Sequence, residues 1–314
     1  MDELAGLLAR IRSEFPRLAF KDAALIDDGA DHRVALLDDR WLFRFPRARP
    51  GEDRLSLFRA ELALLARLEG VSAIPVPRYR FISKAREFGG YRKIEGTPMR
   101  PGVFAGLRPE VRASIVEAVA NLLRLIHALP VSTIAQSGGA IAREWTGEDW
   151  RRRWIRERRA VVAKVVDAAL LERMDRFYDQ LAAAKPPPRE LLIHGDVTDD
   201  HLLLAAGGER LAGLIDFGDA CVGDPAYDLA YFFAYGEDTA RHLVARYDPP
   251  GADRTILDRA RRQFTRYCID QLWWGAMGSV AVDTETVVAE LVRLLAAEPK
   301  PTPRPDPSRR WVGP

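Results

Sequence analysis

The alternation of apolar and polar positions divides the chain into a strand-rich first part and a helical remainder. Val34 to Leu37 and Trp41 to Phe45 are short apolar-rich runs on either side of Asp38-Asp39-Arg40, which predicts a β-hairpin. From Arg54 to Glu69, Leu55, Phe58, Leu62, Leu65 and Leu68 recur at three- and four-residue intervals, so one helix face carries them, and Gly70 ends the helix. The prolines between Ile74 and Ile82 return the chain to extended structure, because a residue that precedes proline is pushed out of the helical region. Gly89-Gly90 predicts a turn, Tyr91 to Ile94 a further strand, and Glu95-Gly96-Thr97-Pro98 a hinge.

Beyond the hinge, Val111, Ile115, Val119, Leu122, Leu123 and Ile126 form a helical stripe within Pro109 to Leu129, and two more helices are expected between Trp154 and Leu181. Pro186-Pro187-Pro188 breaks that series. Three short strands follow, Leu191 to Ile193, Leu202 to Leu204 and Leu211 to Ile215, the last two joined at Gly207-Gly208. Helices resume from about Pro225 to Ala297, and no internal repeat is present. The reading is an α+β chain of two lobes, a small β-rich one over residues 1–95 and a larger, mainly helical one over 96–300, with a flexible proline-rich tail at 301–314.

Composition narrows the function classes. Of 314 residues, 47% are hydrophobic and 29% charged, which excludes fibrous and disordered chains. The formal charge of +2 creates no global field that would draw the protein to nucleic acid or a membrane surface, so neither is expected as a partner. Only six of the 47 basic residues are lysines, so a lysine-dependent site has few candidates. The first twenty residues mix acids and arginines in an amphipathic pattern unlike a secretory signal, and no run of about eighteen apolar residues occurs. Cys221 and Cys268 form neither a disulfide framework nor a CxxC metal clip, and a cytoplasmic monomer or dimer is expected.

The informative stretch is Leu191 to Asp228. His194-Gly195-Asp196 leaves a buried strand, His201 enters the next strand five residues later, and Asp216-Phe217-Gly218 leaves the hairpin's second strand. That spacing can point Asp196, His201 and Asp216 into one cleft. Phosphoryl transfer from a nucleotide needs such a set, with a carboxylate to orient the acceptor hydroxyl and hard ligands to hold Mg²⁺ against the phosphates. A lone His-Gly-Asp could be a turn cap, and a lone Asp-Phe-Gly occurs by chance. The two together at this separation argue against both.

These paired motifs resemble the aminoglycoside phosphotransferase family, relatives of the protein kinases, whose pattern is His-Gly-Asp with Asn five residues after the Asp, then Ile-Asp-Phe or Ile-Asp-Trp. The resemblance implies a protein-kinase-like fold, with residues 1–95 as the nucleotide-binding lobe and 96–300 as the catalytic and substrate-binding lobe. It further implies Asp196 as the catalytic aspartate and Asp216 as the magnesium ligand. His201 stands where most of the family has Asn, which is similar to the branch containing the 2″-aminoglycoside and macrolide kinases. Histidine is a softer ligand than Mg²⁺ usually selects. Gly223 to Ala230 also resembles the family, with Asp224 and Asp228 read as structural groups that cap the next helix or brace the catalytic loop.

A kinase-like lobe should supply a cation from its third strand and a helix acid that positions it. Arg44 takes the place where the resemblance puts lysine, and Glu61 is the helix acid; arginine keeps the charge and can grip phosphate bidentately, but its larger fork changes the reach. The alternative is a surface ion pair. Asp27 to Arg33 holds one glycine, Gly29, and matches neither a Walker A motif nor GxGxxG, so the amides from Gly29 to His32 either reach phosphate or form a plain turn. Lys93-Ile94-Glu95 resembles the strand that runs into the interlobe linker, where main-chain groups would pair with the purine. Both ATP and GTP stay open.

An aminoglycoside is a polycation and needs acids, whereas a macrolide needs an apolar wall. By resemblance Asp219, Glu237 and Asp238 would face substrate amines, and Trp273 and Trp274 would wall the pocket; a solvated helix start and core packing are the alternatives. Leu129 to Ser132 resembles the macrolide kinases, with His127 beside it a buried structural histidine. The expectation is therefore an Mg²⁺-dependent kinase that transfers the γ-phosphate of ATP or GTP to a hydroxyl of an aminoglycoside. A macrolide, an amino sugar or a choline-like alcohol is the runner-up acceptor. A pseudokinase without turnover, suggested by the sparse glycine loop and Arg44, stays open. So does a metal hydrolase on His194, His201 and the acids, although its His-x₆-His spacing fits no zinc pattern.

Overall fold

The computed structural model describes residues 3–26, 32–47, 53–135, 139, 141–248 and 252–296. Gly29 and the rest of 27–31, together with the tail 301–314, lie outside the described residues. Two compact units are formed: one from the start to Trp145 and from Lys185 to Phe264, the other from Thr146 to Ala184 and from Thr265 onward. Among the described residues no helix is long and apolar enough to cross a membrane.

The first unit opens with the amphipathic helix Glu3–Glu14 and a five-stranded antiparallel sheet. Its strands are β1 (Ala23–Ile26), β2 (His32–Leu37), β3 (Trp41–Pro46), β4 (Tyr79–Ile82) and β5 (Gly89–Arg92), in the order β1-β2-β3-β5-β4. The expected hairpin is β2–β3, with Leu37 opposite Trp41 and Val34 opposite Arg44. Its turn places Asp38 and Asp39 at φ of 50° and 47°, a left-handed conformation that aspartate tolerates, and Asp38 Oδ1 accepts the amides of Lys21 and Asp22 at 2.8 Å each.

Side chains alternate across a strand, so Phe43 and Phe45 face Leu7, Ile11, Ala35, Leu37 and Phe88 in one core layer while Arg44 faces the other way. There it meets the helix Arg54–Leu68, whose start is capped by Asp53 accepting from the Ser56 amide at 3.0 Å. The buried face of this helix differs from the expected one. It runs through Phe58, Glu61, Leu65 and Leu68 while Leu55 is exposed, because the stripe turns to meet the buried Arg44. Gly89 and Gly90 do not form a turn either. They lie in β5, where a Cβ on Gly90 would sit 2.6 Å from the Phe43 ring, and the turn is supplied earlier by Ser83, whose Oγ accepts the amides of Glu87 and Phe88.

Two small sheets and further helices complete the described part of the first unit. Thr97–Pro98 (β6) pairs with β9 (Leu202–Leu204), which pairs with β10 (Leu211–Leu214); Ala142–Arg143 (β7) and β8 (Leu191–Ile193) flank β11 (Cys221–Gly223). The helix Pro109–His127 buries Ile115, Val119, Leu122, Leu123 and Ile126 as the stripe predicts.

In the second unit, helix Gly147–Arg153 begins at a capping box between Thr146 and Asp149 and continues through a π-helical turn, Trp154–Arg158, into Arg159–Val162. Helix Ala168–Ala183 follows, its Tyr178 ring stacked on Trp154 at 4.9 Å. Trp273 and Trp274 lie here, half buried, with the Arg158 guanidinium 5.0 Å from the Trp273 ring centroid. Both cysteines are free thiols.

Candidate active site

The loop from β8 to β9 is shaped by one buried carboxylate. Asp228 is fully buried and accepts the amides of His194 at 2.7 Å and Gly195 at 2.9 Å, together with the Nε2–H of His127 at 2.9 Å. The Tyr247 hydroxyl, 2.8 Å from His127 Nδ1, completes the chain. Burial opposes the charge on Asp228, yet the bond from His127 and the His194 amide hold its carboxyl below the usual range. Gly195 sits at φ 84°, and a Cβ there would collide with the Asp219 carbonyl oxygen, so glycine is needed for both conformation and space.

His194 is buried and sits between two backbone groups: its Nε2 donates to the Ile215 carbonyl at 3.2 Å and its Nδ1 accepts the Asp196 amide at 3.2 Å. This fixes the Nε2–H tautomer. Burial pushes its pKa down to about 4 from 6.5. The folded value lies below the unfolded one, so the stability that a neutral His194 contributes is present above about pH 6.5 and is withdrawn as pH falls toward about 4. Nitrogen-15 spectra of the histidines should keep His194 as the neutral Nε2–H tautomer at about pH 5, where an ordinary imidazole is mostly charged; a ring titrating near its ordinary value would contradict this arrangement.

Asp196, His201 and Asp216 converge. His201 Nδ1 lies 2.9 Å from the Asp196 carbonyl oxygen and 3.2 Å from its Oδ2, and His201 Nε2 lies 3.8 Å from Asp216 Oδ2. The Ile215 amide donates to the His201 carbonyl at 3.0 Å, so β-pairing sets the spacing of the two motifs. The Asp196 and Asp216 side chains are 36% and 43% exposed, open to solvent on one side and hemmed in by protein on the other. Burial, with Asp216 adding to it, pushes the Asp196 carboxyl up to about 6 against the pull of His201. The His201 ring is opposed by burial, but the two aspartates raise its pKa. Asp216 has φ 59°, a strained conformation for a non-glycine residue of the sort that concentrates at functional sites.

Across from this trio, Arg44 ties the sheet to the loop. Its Nη1 donates to Glu61 Oε1 at 2.6 Å, and its Nη2 reaches Asp216 Oδ1 at 2.5 Å and His32 Nδ1 at 3.0 Å. The Arg44 and Glu61 side chains are 5% and 0% exposed, so the pair is no surface ion pair. Tyr79 Oη adds a bond to the same Glu61 oxygen at 3.2 Å, and Glu61 Oε2 is buried without a partner. Burial pushes the Glu61 carboxyl up to about 7, whereas Arg44 remains charged well above its ordinary range because Glu61 outweighs the burial of the guanidinium. A neutral Glu61 would leave that cation sealed in protein without its main counter-charge, so the ion pair is the state at neutral pH. Despite burial, Arg44 and His201 hold Asp216 well below the usual carboxylate range.

Asp219 borders the trio, and the other candidates take part in separate contacts. Lys93 pairs with Asp39 at 2.6 Å and Glu95 at 3.5 Å, and its amide donates to the Arg40 carbonyl. The Ile94 side chain lies against Gly213, where an added Cβ would come within 2.9 Å of it. Asp219 is exposed, with its carbonyl against Gly195, and Asp238 is exposed at the start of the helix Glu237–Tyr247. Glu237 is taken up by Arg241 at 2.8 Å and by Arg261. Trp273 and Trp274 belong to the second unit.

Four participating side chains were not found in the sequence: His32, considered only for its backbone amide, and Tyr79, Tyr247 and Arg100. Arg100 binds Asp199 at 2.9 Å and Asp200 at 2.5 Å and so ties the segment after β6 to the loop between β8 and β9. For His32 a signal existed, because the hairpin register that pairs Val34 with Arg44 puts His32 on the same face. The other three are joined to the site only by contacts distant in sequence.

Chemically, the Asp196 carboxylate can accept a hydroxyl proton. His201, its Nδ1 engaged by the Asp196 carbonyl, turns Nε2 toward Asp216, the orientation expected of a metal-binding imidazole held by a backbone acceptor. No set of three or more His, Cys, Asp or Glu among the described residues forms a metal cage. Two ligands suit a cation that takes its other ligands from phosphates and water.

Comparisons with known proteins bear on the family and the fold. The sequence profile described as "Phosphotransferase enzyme family" matches residues 22–264. The uncharacterized protein YcbJ of Bacillus subtilis (strain 168) is 29% identical over 267 residues, 79% of this chain and 81% of that protein. A homoserine kinase of Pseudomonas aeruginosa (strain LESB58) is 29% identical over 231 residues, 72% of this chain but 66% of the kinase. Among solved structures, the GDP complex of aminoglycoside 2'-phosphotransferase-IIIa superposes with a TM-score of 0.73 at 23% identity, covering 94% of this chain and 98% of the other.

Proposed function

This chain belongs to the phosphotransferase enzyme family, and we propose that within it the protein is a small-molecule kinase that moves the γ-phosphate of ATP or GTP to a hydroxyl group of an aminoglycoside. The observation that carries the reading is the meeting of Asp196, His201 and Asp216 opposite the buried Arg44–Glu61 pair, with the Asp196 carboxylate accessible. Asp196 orients the acceptor hydroxyl and takes its proton as the oxygen attacks phosphorus. Arg44 Nη2 faces the phosphates. Asp216 and His201 Nε2 would hold Mg²⁺, which when bound supplies charge neutralisation between the phosphoryl oxygens. Because the transition state of phosphoryl transfer is loose, these groups act by positioning and by electrostatic stabilisation rather than by covalent chemistry.

A second acceptor class is favoured by a specific observation. Glu237, one of the acids that would greet a polycation, is engaged by Arg241 and Arg261. That lowers the negative field available to a polyamine and suits a smaller hydroxylated amine, the class of acceptor named for the homoserine kinase relative.

The test is nucleoside diphosphate release from ATP and from GTP in the presence of Mg²⁺, with aminoglycosides, macrolides, amino sugars and homoserine as acceptors, scored beside growth of expressing cells on the two antibiotic classes. Release that depends on an aminoglycoside, with phosphate recovered on the drug, is expected. Release with homoserine alone would move the assignment to the second class, and no acceptor-dependent release from either nucleotide would overturn both.

A further inference from the structure

We propose that His32 is the positioning residue for Arg44, an imidazole whose Nδ1 occupies one hydrogen of Nη2 and leaves the other on Asp216, the contact that a nucleotide phosphate would take over. The inference rests on the nucleotide-dependent reading above. His32 opens β2, is buried, and lies on the same face of the hairpin as Arg44, with Nδ1 3.0 Å from Nη2. The guanidinium is thereby held at three points: Nη1 on Glu61, and Nη2 on both His32 and Asp216. A guanidinium carries its hydrogens in fixed directions in one plane, unlike an ammonium, so each acceptor constrains what the others can reach.

Glu61 alone fixes only one end of the fork. With His32 lost, the bond to the half-exposed Asp216 alone restrains Nη2, and once phosphate displaces it the plane could swing about the Glu61 contact. His32 closes that freedom. Its own place is set by bare backbone: a Cβ added at Gly218 would lie 3.3 Å from His32 Cε1, 3.3 Å from Asp216 Oδ1 and 3.5 Å from Arg44 Nη2, so all three groups pack around that glycine. The His32 carbonyl is held as well, by Arg47 Nε at 3.3 Å. When phosphate oxygens approach, the contact that Nη2 can trade is the one to the half-exposed Asp216, because the imidazole stays buried in place. A lysine at position 44 would need no such brace, since its ammonium turns freely. The histidine therefore belongs with the arginine.

The experiment measures the affinity of the full chain for ATP and GTP by titration calorimetry, and KM for nucleotide and acceptor, in His32→Asn, His32→Phe, Arg44→Lys and the double variant Arg44→Lys/His32→Phe. Losing an acceptor for a charged donor should weaken nucleotide binding in His32→Phe by roughly ten- to thirtyfold and raise the nucleotide KM alike, with the acceptor KM unchanged. His32→Asn places an amide oxygen where Nδ1 stood and should recover to within about threefold of the parent. In the Arg44→Lys background the phenylalanine should add less than about twofold. If His32→Phe does not fold, His32→Ala, which only empties the space, carries the same comparisons. The inference is overturned if His32→Phe binds nucleotide as the parent does, if His32→Asn is as impaired as His32→Phe, or if the loss persists undiminished in the Arg44→Lys background. A parent protein that binds neither nucleotide would sink the kinase reading itself, and this inference with it.

Discussion

Replacing Asp196 with asparagine should lower acceptor phosphorylation about a thousandfold, within the range of roughly 10²–10⁴ that a positioned general base supplies, and leave nucleotide affinity within about twofold. The amide keeps the shape and the 3.2 Å contact with His201 Nδ1 but cannot take a proton. Stability should not fall with activity. Burial pushes the Asp196 carboxyl up to about 6, so the folded protein holds this charge against its surroundings, and a neutral amide removes that opposition. Transfer assays and thermal melts on the same preparations separate the two effects. Retention of more than about a tenth of the turnover would remove Asp196 from the role of proton acceptor.

Asp228→Ala should be the most damaging single change to stability among the residues around the loop. Three buried donors, the amides of His194 and Gly195 and the Nε2–H of His127, would lose their common acceptor. At about 1–3 kcal/mol for each unsatisfied group, the cost is roughly 3–6 kcal/mol after allowance for water entering the space. For a protein of this size that is a fall in Tm on the order of 10 °C. Turnover should drop too, because the Gly195 amide is the point from which Asp196 is aimed. Calorimetry decides it: a Tm within about 2 °C of the parent would mean that the loop is held by something other than this carboxylate.

The parts of the site that lie close together in the sequence were legible there. His201 and Ile215 flank the open end of the β9–β10 hairpin, so five- and fifteen-residue spacings were enough to bring Asp196, His201 and Asp216 together. The hairpin was legible for the same reason, from two apolar runs and an Asp-rich turn. Arg44 and Glu61 were matched through the resemblance, which puts a cation on the third strand and an acid on the helix that follows. What escaped was non-local. Whether Leu55 or Glu61 turns inward on the helix Arg54–Leu68 depends on the buried arginine it meets, and apolar spacing is silent about that. Gly89 and Gly90 look like a turn until the Phe43 ring that presses on them is known. Tyr79 on Glu61, Tyr247 on His127 and Arg100 on the β8–β9 loop join positions 18, 120 and about 100 residues apart, and no local pattern announces such pairs.

The stitching of the linker onto β9 bears on where the polypeptide tolerates a change in length. Thr97 and Pro98 are in register with Leu204 and Leu203, and the Met99 amide donates to the Leu202 carbonyl at 2.8 Å. One residue inserted after Gly96 would slip that register and drag on the strand that begins just after His201, so an affinity tag or reporter peptide does not belong there. Gly207, at the tip of the β9–β10 connection, has open space around it, and a graft at that tip would leave both aspartates and the imidazole undisturbed.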